Sequence, residues 1–231
     1  MRRVMKLYVI ADRGVFASDD AWLRALVAIA PAVAASPDAR LQLRIKGLSV
    51  EHRLALIGRV RAALGANAHR AILNGSVAEA LANGFGGAHY PEGTLPAELL
   101  VRPAGFTVGA AIHSVSALER SMRFGADYVL FGPVFDAGSK PVAGVGLEAL
   151  RAVSTVSTVP VLAIGGITPR RVPACLAAGA VGVGVVSGIL HAPDPAAATR
   201  MYIKACAGAT PGAVGGRSKH LEPALNRGEK S

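Results

Sequence analysis

The sequence predicts an α/β fold, a (β/α)8 TIM barrel, and three observations lead to this class. Short apolar runs alternate with amphipathic stretches along the whole 231-residue chain. The runs are nearly continuous in hydrophobic residues, which is typical of parallel strands buried on both faces. Eight such strands, each followed by a helical pattern, can close on themselves into a barrel. A doubly wound open sheet has the same periodicity and is the alternative.

The elements are assigned in order along the chain. Apolar runs predict strands at 7–11, 41–45, 70–73, 88–90, 107–112, 128–131, 161–164 and 182–186. Hydrophobic residues at helical spacing predict helices near 20–35, 50–64, 76–83, 95–100, 115–124, 146–153, 170–178 and 194–205.

Helix starts carry their own signals. Asp19 or Asp20 can cap the first helix, and Ser49 can cap the second. Thr168 and Asp194 are each followed by proline, which is typical of a cap and the first helical residue.

The sequence predicts one domain and a tail. All of the predicted elements lie within residues 1–206, which therefore form the barrel domain. Residues 207–231 are rich in Gly, Ala, Ser and charged residues and have few large apolar ones, which predicts a disordered tail.

Charge limits the partners that are expected. The chain has 25 Lys and Arg against 15 Asp and Glu, a formal charge of +10. Nucleic acid is the first partner that such an excess suggests, but the basic residues are scattered and do not cluster with aromatic side chains. We therefore expect no nucleic-acid partner, and we assign the excess to phosphate-bearing small molecules or to no specific ligand.

A cytoplasmic protein without a membrane segment is expected. No run of about 20 apolar residues lacks charges or glycine. The apolar run near the N-terminus stops at Asp12, too early for a signal peptide. Cys175 and Cys206 have neither a disulfide framework nor metal-ligand spacing, which fits a reducing compartment.

The second predicted strand ends in cationic side chains. Its sequence LQLRIKG places Gln42, Arg44 and Lys46 at alternate positions, so all three face one side of the strand. Functional residues of this fold lie at the carboxyl ends of the strands. Buried Arg and Lys are costly unless they meet an anion or a carboxylate. These residues are predicted to bind an anionic substrate, with an internal salt bridge as the alternative.

The next strands end in weaker signals. Strand 3 ends at Asn74, in a generic Asn-Gly turn. Strand 4 carries His89, and strand 5 is followed by His113; either imidazole could transfer a proton. A core or rim histidine is the alternative for His89. The Gly- and Pro-rich loop after strand 6 is a candidate mobile cover, and its Lys140 is predicted to reach a substrate anion and is a candidate catalytic residue.

Strands 7 and 8 carry the clearest signal. Strand 7 ends in AIGGITP and strand 8 in VVSGI. Glycine lets backbone N–H groups approach a ligand closely, and many barrels of this type bind phosphate after these two strands. A phosphate site is therefore predicted at Gly165, Gly166, Val186, Ser187 and Gly188, with a short helix starting near Ser187.

Several motifs occur together in one order: LQLRIK (41–46), Asn74, GAHY (87–90), GADYVLFGPVF (125–135) with Lys140, AIGGIT (163–168) and VVSGI (185–189). In them the chain resembles the thiamin phosphate synthase/TenI family over roughly residues 6–206. The synthase joins a pyrimidine-methyl diphosphate to a thiazole phosphate and releases pyrophosphate. The resemblance implies diphosphate-side contacts from Gln42, Arg44, Lys46, Asn74 and Lys140, and thiazole-phosphate contacts from Gly166, Val186 and Ser187.

Departures from the synthase pattern affect its magnesium site. The family's Asn-Asp is Asn74-Gly75 here, and only Glu92 could replace the second carboxylate. Its serine before the fifth-strand histidine is Ala111, and its Thr-x-Thr before the lysine is altered at 137–139. Magnesium needs carboxylate oxygens in near-octahedral geometry. No cofactor is therefore expected unless the chain is a synthase, and Gly75→Asp is the substitution that would restore the missing ligand.

The Asn-Gly pair resembles the TenI-like branch instead. In that branch a thiazole tautomerase moves a proton by means of a histidine in a block like FGHVFE. The corresponding residue here is Pro133, which cannot move a proton, so His113, His89, Asp136 or Glu92 would have to replace it.

Two classes of function therefore stay open. One is an enzyme that acts on a thiazole phosphate, either by proton transfer or as a divergent synthase. The other is a non-catalytic barrel that binds a phosphate compound of the same pathway and acts as a regulator. A third hypothesis is a barrel enzyme that acts on a different phosphate ligand. A homo-oligomer is also left open.

Overall fold

The computed structural model describes residues 5–136 and 143–208. Within them, eight parallel strands form a closed barrel in sequence order, β1 to β8. The first and last strands pair directly, with Leu7 opposite Val183 and Val9 opposite Val185. The predicted barrel is therefore confirmed, and the open doubly wound sheet is excluded.

The strands follow the predicted apolar runs closely. Their bounds are Leu7–Asp12 (β1), Ala39–Arg44 (β2), Ala71–Asn74 (β3), Gly87–Tyr90 (β4), Thr107–Ile112 (β5), Tyr128–Phe131 (β6), Val161–Ile164 (β7) and Gly182–Val185 (β8).

The described helices cover the barrel. They are Asp19–Ala34 (α1), Val50–Leu64 (α2), Val77–Ala82 (α3), Val115–Arg123 (α4), Gly146–Val156 (α5), Val172–Ala177 (α6), Ser187–Leu190 (α7) and Pro195–Ala207 (α8). The short α7 starts where the sequence predicts it. Across the described residues, no helix is long and apolar enough to span a membrane.

Both faces of the strands are buried, which explains their continuous apolar runs. One set of side chains packs between the strands and the helices; it includes Leu7 and Val9 of β1, which meet helix residues such as Trp22 of α1. The alternate set, including Tyr8 and Ile10, fills the barrel interior. Alternation along each strand therefore decides which side chains reach the interior and its mouth.

The helix predicted near 95–100 does not form. The chain has a 3-10 turn at Glu92–Thr94 and then runs irregularly to β5. Pro96 and Pro103 limit this segment to about one and a half turns. Leu95 and Leu100 pack against the core, but none of residues 95–100 is fully buried and Leu99 is 71% exposed. The segment therefore buries too little surface to stabilise so short a helix.

The predicted helix caps are right in part. Ser49 and Asp194 cap α2 and α8 through their side chains, as predicted. The cap of α1 is Ser18, whose hydroxyl accepts from the Ala21 amide at 3.2 Å; Asp19 and Asp20 lie in the first turn instead. Thr168 holds the predicted cap position of a 3-10 turn, Pro169–Arg171, but makes no capping hydrogen bond there.

The last described helix extends one residue past the predicted end of the barrel domain at 206. Helix α8 includes Ala207, and the described residues end at Gly208. The rest of the predicted tail lies outside the described residues. Cys175 and Cys206 are both buried and free, and burial raises their thiol pKa values to about 11 and about 12.

Candidate functional site

The carboxyl ends of the strands form a mouth to which β1 and β2 contribute an ion pair. Asp12 and Arg44 lie opposite each other in the β1–β2 register, and the Arg44 Nη1 donates to Asp12 Oδ2. The other carboxylate oxygen of Asp12 accepts from the Gly14 amide at 3.0 Å. Arg44 is therefore held at the mouth by a carboxylate that the sequence reasoning did not single out.

Gln42 and Lys46 lie on the same side of the strand as Arg44. Gln42 is 2% exposed, and its Oε1 has no hydrogen-bond partner among the described residues. A buried acceptor without a donor is costly, so a ligand that donates a hydrogen bond would satisfy it. Lys46 is exposed beyond the strand end, and its charge contributes to the lowered pKa of His89.

We expect Arg44→Ala to weaken the binding of inorganic pyrophosphate by about tenfold or more, since charge-assisted bonds contribute about 1.5–3 kcal/mol. Arg40→Ala is the matched control, because it removes the same charge from the opposite end of β2. Calorimetric titration measures affinity, and thermal melts report stability. If Arg44→Ala affected the melting temperature more than the affinity for pyrophosphate, the Asp12–Arg44 pair would have a purely structural role.

His89 lies in the barrel interior beneath the mouth. It is 2% exposed, and its Nδ1 lies 3.0 Å from the Tyr128 hydroxyl, which also bonds the Tyr8 hydroxyl. Gly109 allows this packing, because a Cβ there would overlap the Tyr128 ring. Burial, with a contribution from Lys46, lowers the pKa of His89 to about 3. His89 is therefore neutral near pH 7, which makes it a poor proton donor.

His113 is exposed at the mouth, directly after β5. Its Nδ1 contacts the carbonyl oxygen of Gly132, the residue before Pro133. Its backbone N–H donates to Glu92 Oε2 at 2.8 Å. If Nδ1 carries the proton that this carbonyl accepts, Nε2 is left with a lone pair for a substrate proton. The imidazole therefore lies beside position 133, where the resemblance expects a histidine.

Glu92 is engaged at the start of α4. Besides the His113 amide, it accepts from the Ser114 hydroxyl at 3.2 Å and lies 3.8 Å from Arg120. The Ser114 side chain also caps α4. Within residues 5–136 and 143–208, no group of three or more His, Cys, Asp or Glu is placed to hold a metal ion.

The turns after β7 and β8 lie side by side. Gly165 and Gly166 both have positive φ, +97° and +60°. The buried Tyr202 of α8 donates its hydroxyl to the Ile167 carbonyl at 2.9 Å, and a Cβ at Gly188 would overlap that hydroxyl. Tyr202 thus joins the two turns, at Ile167 on one and Gly188 on the other.

Arg171 and Tyr202 are two residues of this region that the sequence reasoning missed. Arg171 donates to the Gly166 carbonyl at 2.7 Å, and its guanidinium lies 4.5 Å from the centre of the Phe135 ring. The PRR sequence directly after the glycine turn is a signal that could have found Arg171. Nothing local marks Tyr202, which is far from both turns in sequence. Lys140 lies outside the described residues.

A TIM barrel with glycine turns after β7 and β8 is the class that this fold and these turns define. Comparison with known proteins narrows the class. A family model described as thiamine monophosphate synthase matches residues 7–189, so the chain belongs to the thiamin phosphate synthase/TenI family.

Individual relatives agree with this assignment. A thiamine-phosphate synthase of Roseiflexus sp. (strain RS-1) is 38% identical over 199 residues, which cover 84% of this chain and 82% of that protein. The chain is also 38% identical over 167 residues to a thiamine biosynthesis bifunctional protein of Symbiobacterium thermophilum, of which the match spans 35%. A thiamine phosphate pyrophosphorylase of Pyrococcus furiosus superposes with a TM-score of 0.67 at 24% identity, covering 88% of this chain and 96% of that one. This last likeness concerns the fold alone.

Proposed function

We propose that the mouth binds a thiazole phosphate of thiamin biosynthesis and moves a proton on it, as a TenI-like tautomerase does. The observation that carries the phosphate part is the pair of glycine turns joined by Tyr202. Backbone N–H groups at such turns bind phosphate oxygens without a side chain in the way. Arg171 adds a positive charge beside them.

His113 supports the proton transfer. A tautomerisation removes a proton from one atom of the substrate and returns it to another, so it needs one acid/base group and no co-reactant. His113 is exposed, and the Gly132 carbonyl orients its ring. His89 is buried and neutral, and the Glu92 carboxylate is bonded to α4. We therefore assign the acid/base role to His113.

The β2 end supplies the remaining contacts in this proposal. Arg44 and Lys46 bring positive charge to the mouth, and the unpartnered Gln42 oxygen can accept a hydrogen bond from the substrate. Their arrangement suits a ligand with a second anionic group, such as the carboxylate of a thiazole carboxylate phosphate. Asn74, at the end of β3, borders the same region.

A divergent thiamin phosphate synthase is the second candidate. The names of the curated relatives favour it, at 38% identity for the Roseiflexus protein. It requires magnesium at the β3 and β4 ends, where the resemblance places two carboxylates. Here these positions hold Gly75, which has none, and the bonded Glu92. The donor set of the described residues does not fit that ion.

A panel of pathway compounds separates these functions. The full chain is titrated with thiazole phosphate, thiazole carboxylate phosphate and the pyrimidine diphosphate, each with and without Mg²⁺, and turnover is followed by NMR. We expect thiazole phosphates to bind and the carboxylate to isomerise without metal. Magnesium-dependent formation of thiamin phosphate would establish the synthase instead, and binding without turnover would indicate a regulator.

A further inference from the structure

An arginine of helix α2 joins the ends of two strands at the mouth. Arg53 Nε donates to Glu79 Oε1 at 2.7 Å, and its Nη2 donates to Glu79 Oε2 at 3.1 Å. The same Nη2 lies 3.1 Å from the Asn74 carbonyl oxygen, and Nη1 donates to the Ile45 carbonyl. One guanidinium therefore connects β3, α3 and the residue that follows β2.

The Arg53–Glu79 pair fills the space beside Gly75. A Cβ at residue 75 would overlap Glu79 Oε2 and would lie 3.3 Å from Arg53 Nη2. Both side chains are largely shielded, with 20% and 26% of their surfaces exposed. An acidic side chain at 75 would consequently enter a position that a carboxylate already holds, within reach of a guanidinium.

We propose that the Arg53–Glu79 pair occupies the place of a metal ion in this part of the mouth and keeps divalent cations out of it. Both oxygens of Glu79 accept from the guanidinium, which cannot lose its proton. The paired carboxylate is neutralised and both of its oxygens are occupied, so it offers a divalent ion no free ligand, and magnesium needs carboxylates that are free to bind it. The inference rests on the proposed function, whose chemistry uses no metal here.

The pair also has a positioning role in this proposal. Ile45 lies between Arg44 and Lys46, and Asn74 is itself a candidate contact residue. By bonding both carbonyls, Arg53 fixes the ends of the strands that carry these side chains. A metal ion bound at the same ends would impose a comparable constraint, so one residue pair supplies what the ion would otherwise supply.

The proposal predicts that Gly75→Asp alone does not create a metal site. Its carboxylate should pair with Arg53, so Mn²⁺ binding followed by electron paramagnetic resonance should stay as weak as in the native chain. The variant Arg53→Leu/Glu79→Ala/Gly75→Asp frees both the space and the carboxylate, and we expect it to bind Mn²⁺ at least tenfold more tightly. Both titrations are run with and without inorganic pyrophosphate.

The double variant Arg53→Leu/Glu79→Ala is the matched control, because it removes the pair without adding a carboxylate. Thermal melts check folding, and Arg53→Gln/Glu79→Ala/Gly75→Asp, which can still bond the two carbonyls, replaces the triple variant if that one does not fold. The proposal would be overturned if Gly75→Asp raised the affinity for Mn²⁺ as much as the triple variant does, or if neither triple variant raised it. Tight Mn²⁺ binding by the native chain would overturn it as well. If the Mn²⁺ affinities of the variants are as expected but the native chain neither binds nor isomerises the thiazole phosphates, only the proposed function is contradicted.

Discussion

Gly166→Ala should weaken the binding of thiazole phosphate by at least tenfold, or about 1.4 kcal/mol. Gly166 has a φ of +60°, and a Cβ there would lie 2.6 Å from the Asp136 carbonyl oxygen and 2.8 Å from the Phe135 Cβ. The turn and the loop after β6 must move apart to admit the methyl group. That movement displaces the Gly166 amide, which we assign to the phosphate.

Backbone strain alone would also destabilise this variant, and Gly105→Ala controls for it. Gly105 has a φ of +85° in the loop before β5, and a Cβ there meets nothing within 4 Å. Both variants carry the cost of a left-handed alanine, about 1–3 kcal/mol, but only Gly166→Ala touches the candidate site. Calorimetric titration with thiazole phosphate measures the difference. Equal affinities in the two folded variants would remove Gly166 from the phosphate site.

The fold could be predicted almost completely because both faces of its strands are buried. The predicted bounds of β5, β6 and β7 coincide with the observed ones, since each is an apolar run with clear ends. The prediction for the segment 95–100 failed for the opposite reason: its apolar residues are at helical spacing, but Leu95 and Leu100 are only partly buried and Leu99 is exposed. Periodicity predicts a helix only where another element buries the resulting face.

The candidate site could be predicted only where it depends on local sequence. Strand alternation places Gln42 and Arg44 toward the mouth, and the glycine turns are visible as motifs. The residues that hold these groups come from distant parts of the chain: Asp12 from β1, Arg53 from α2 and Tyr202 from α8. No spacing rule links such pairs, because barrel closure and helix packing bring them together.

The pairing of Glu79 with Arg53 illustrates why a single missing ligand is an incomplete description of the mouth. From the sequence, Gly75 is a lost carboxylate that one substitution could restore. In the structure, a neighbouring helix supplies a carboxylate to that space and a second helix neutralises it. The departure at 75 is therefore one part of a three-residue arrangement.

His113→Gln should lower the turnover of a thiazole carboxylate phosphate by about 10²–10⁴-fold, the usual contribution of a general acid/base. The amide of glutamine can still donate to the Gly132 carbonyl, as His113 Nδ1 is placed to do, but it cannot take up and release a proton. Binding should therefore change little, so the loss should fall on kcat rather than on KM.

His69→Gln is the matched control for this substitution. His69 is also an imidazole whose Nδ1 contacts a backbone carbonyl, that of Ala66 at 2.6 Å, but it precedes β3 at the opposite end of the barrel. Steady-state kinetics and substrate titration of both variants separate catalysis from binding. A kcat for His113→Gln within threefold of the native value would exclude His113 as the proton carrier, because a group that moves the proton cannot be replaced by an amide without loss.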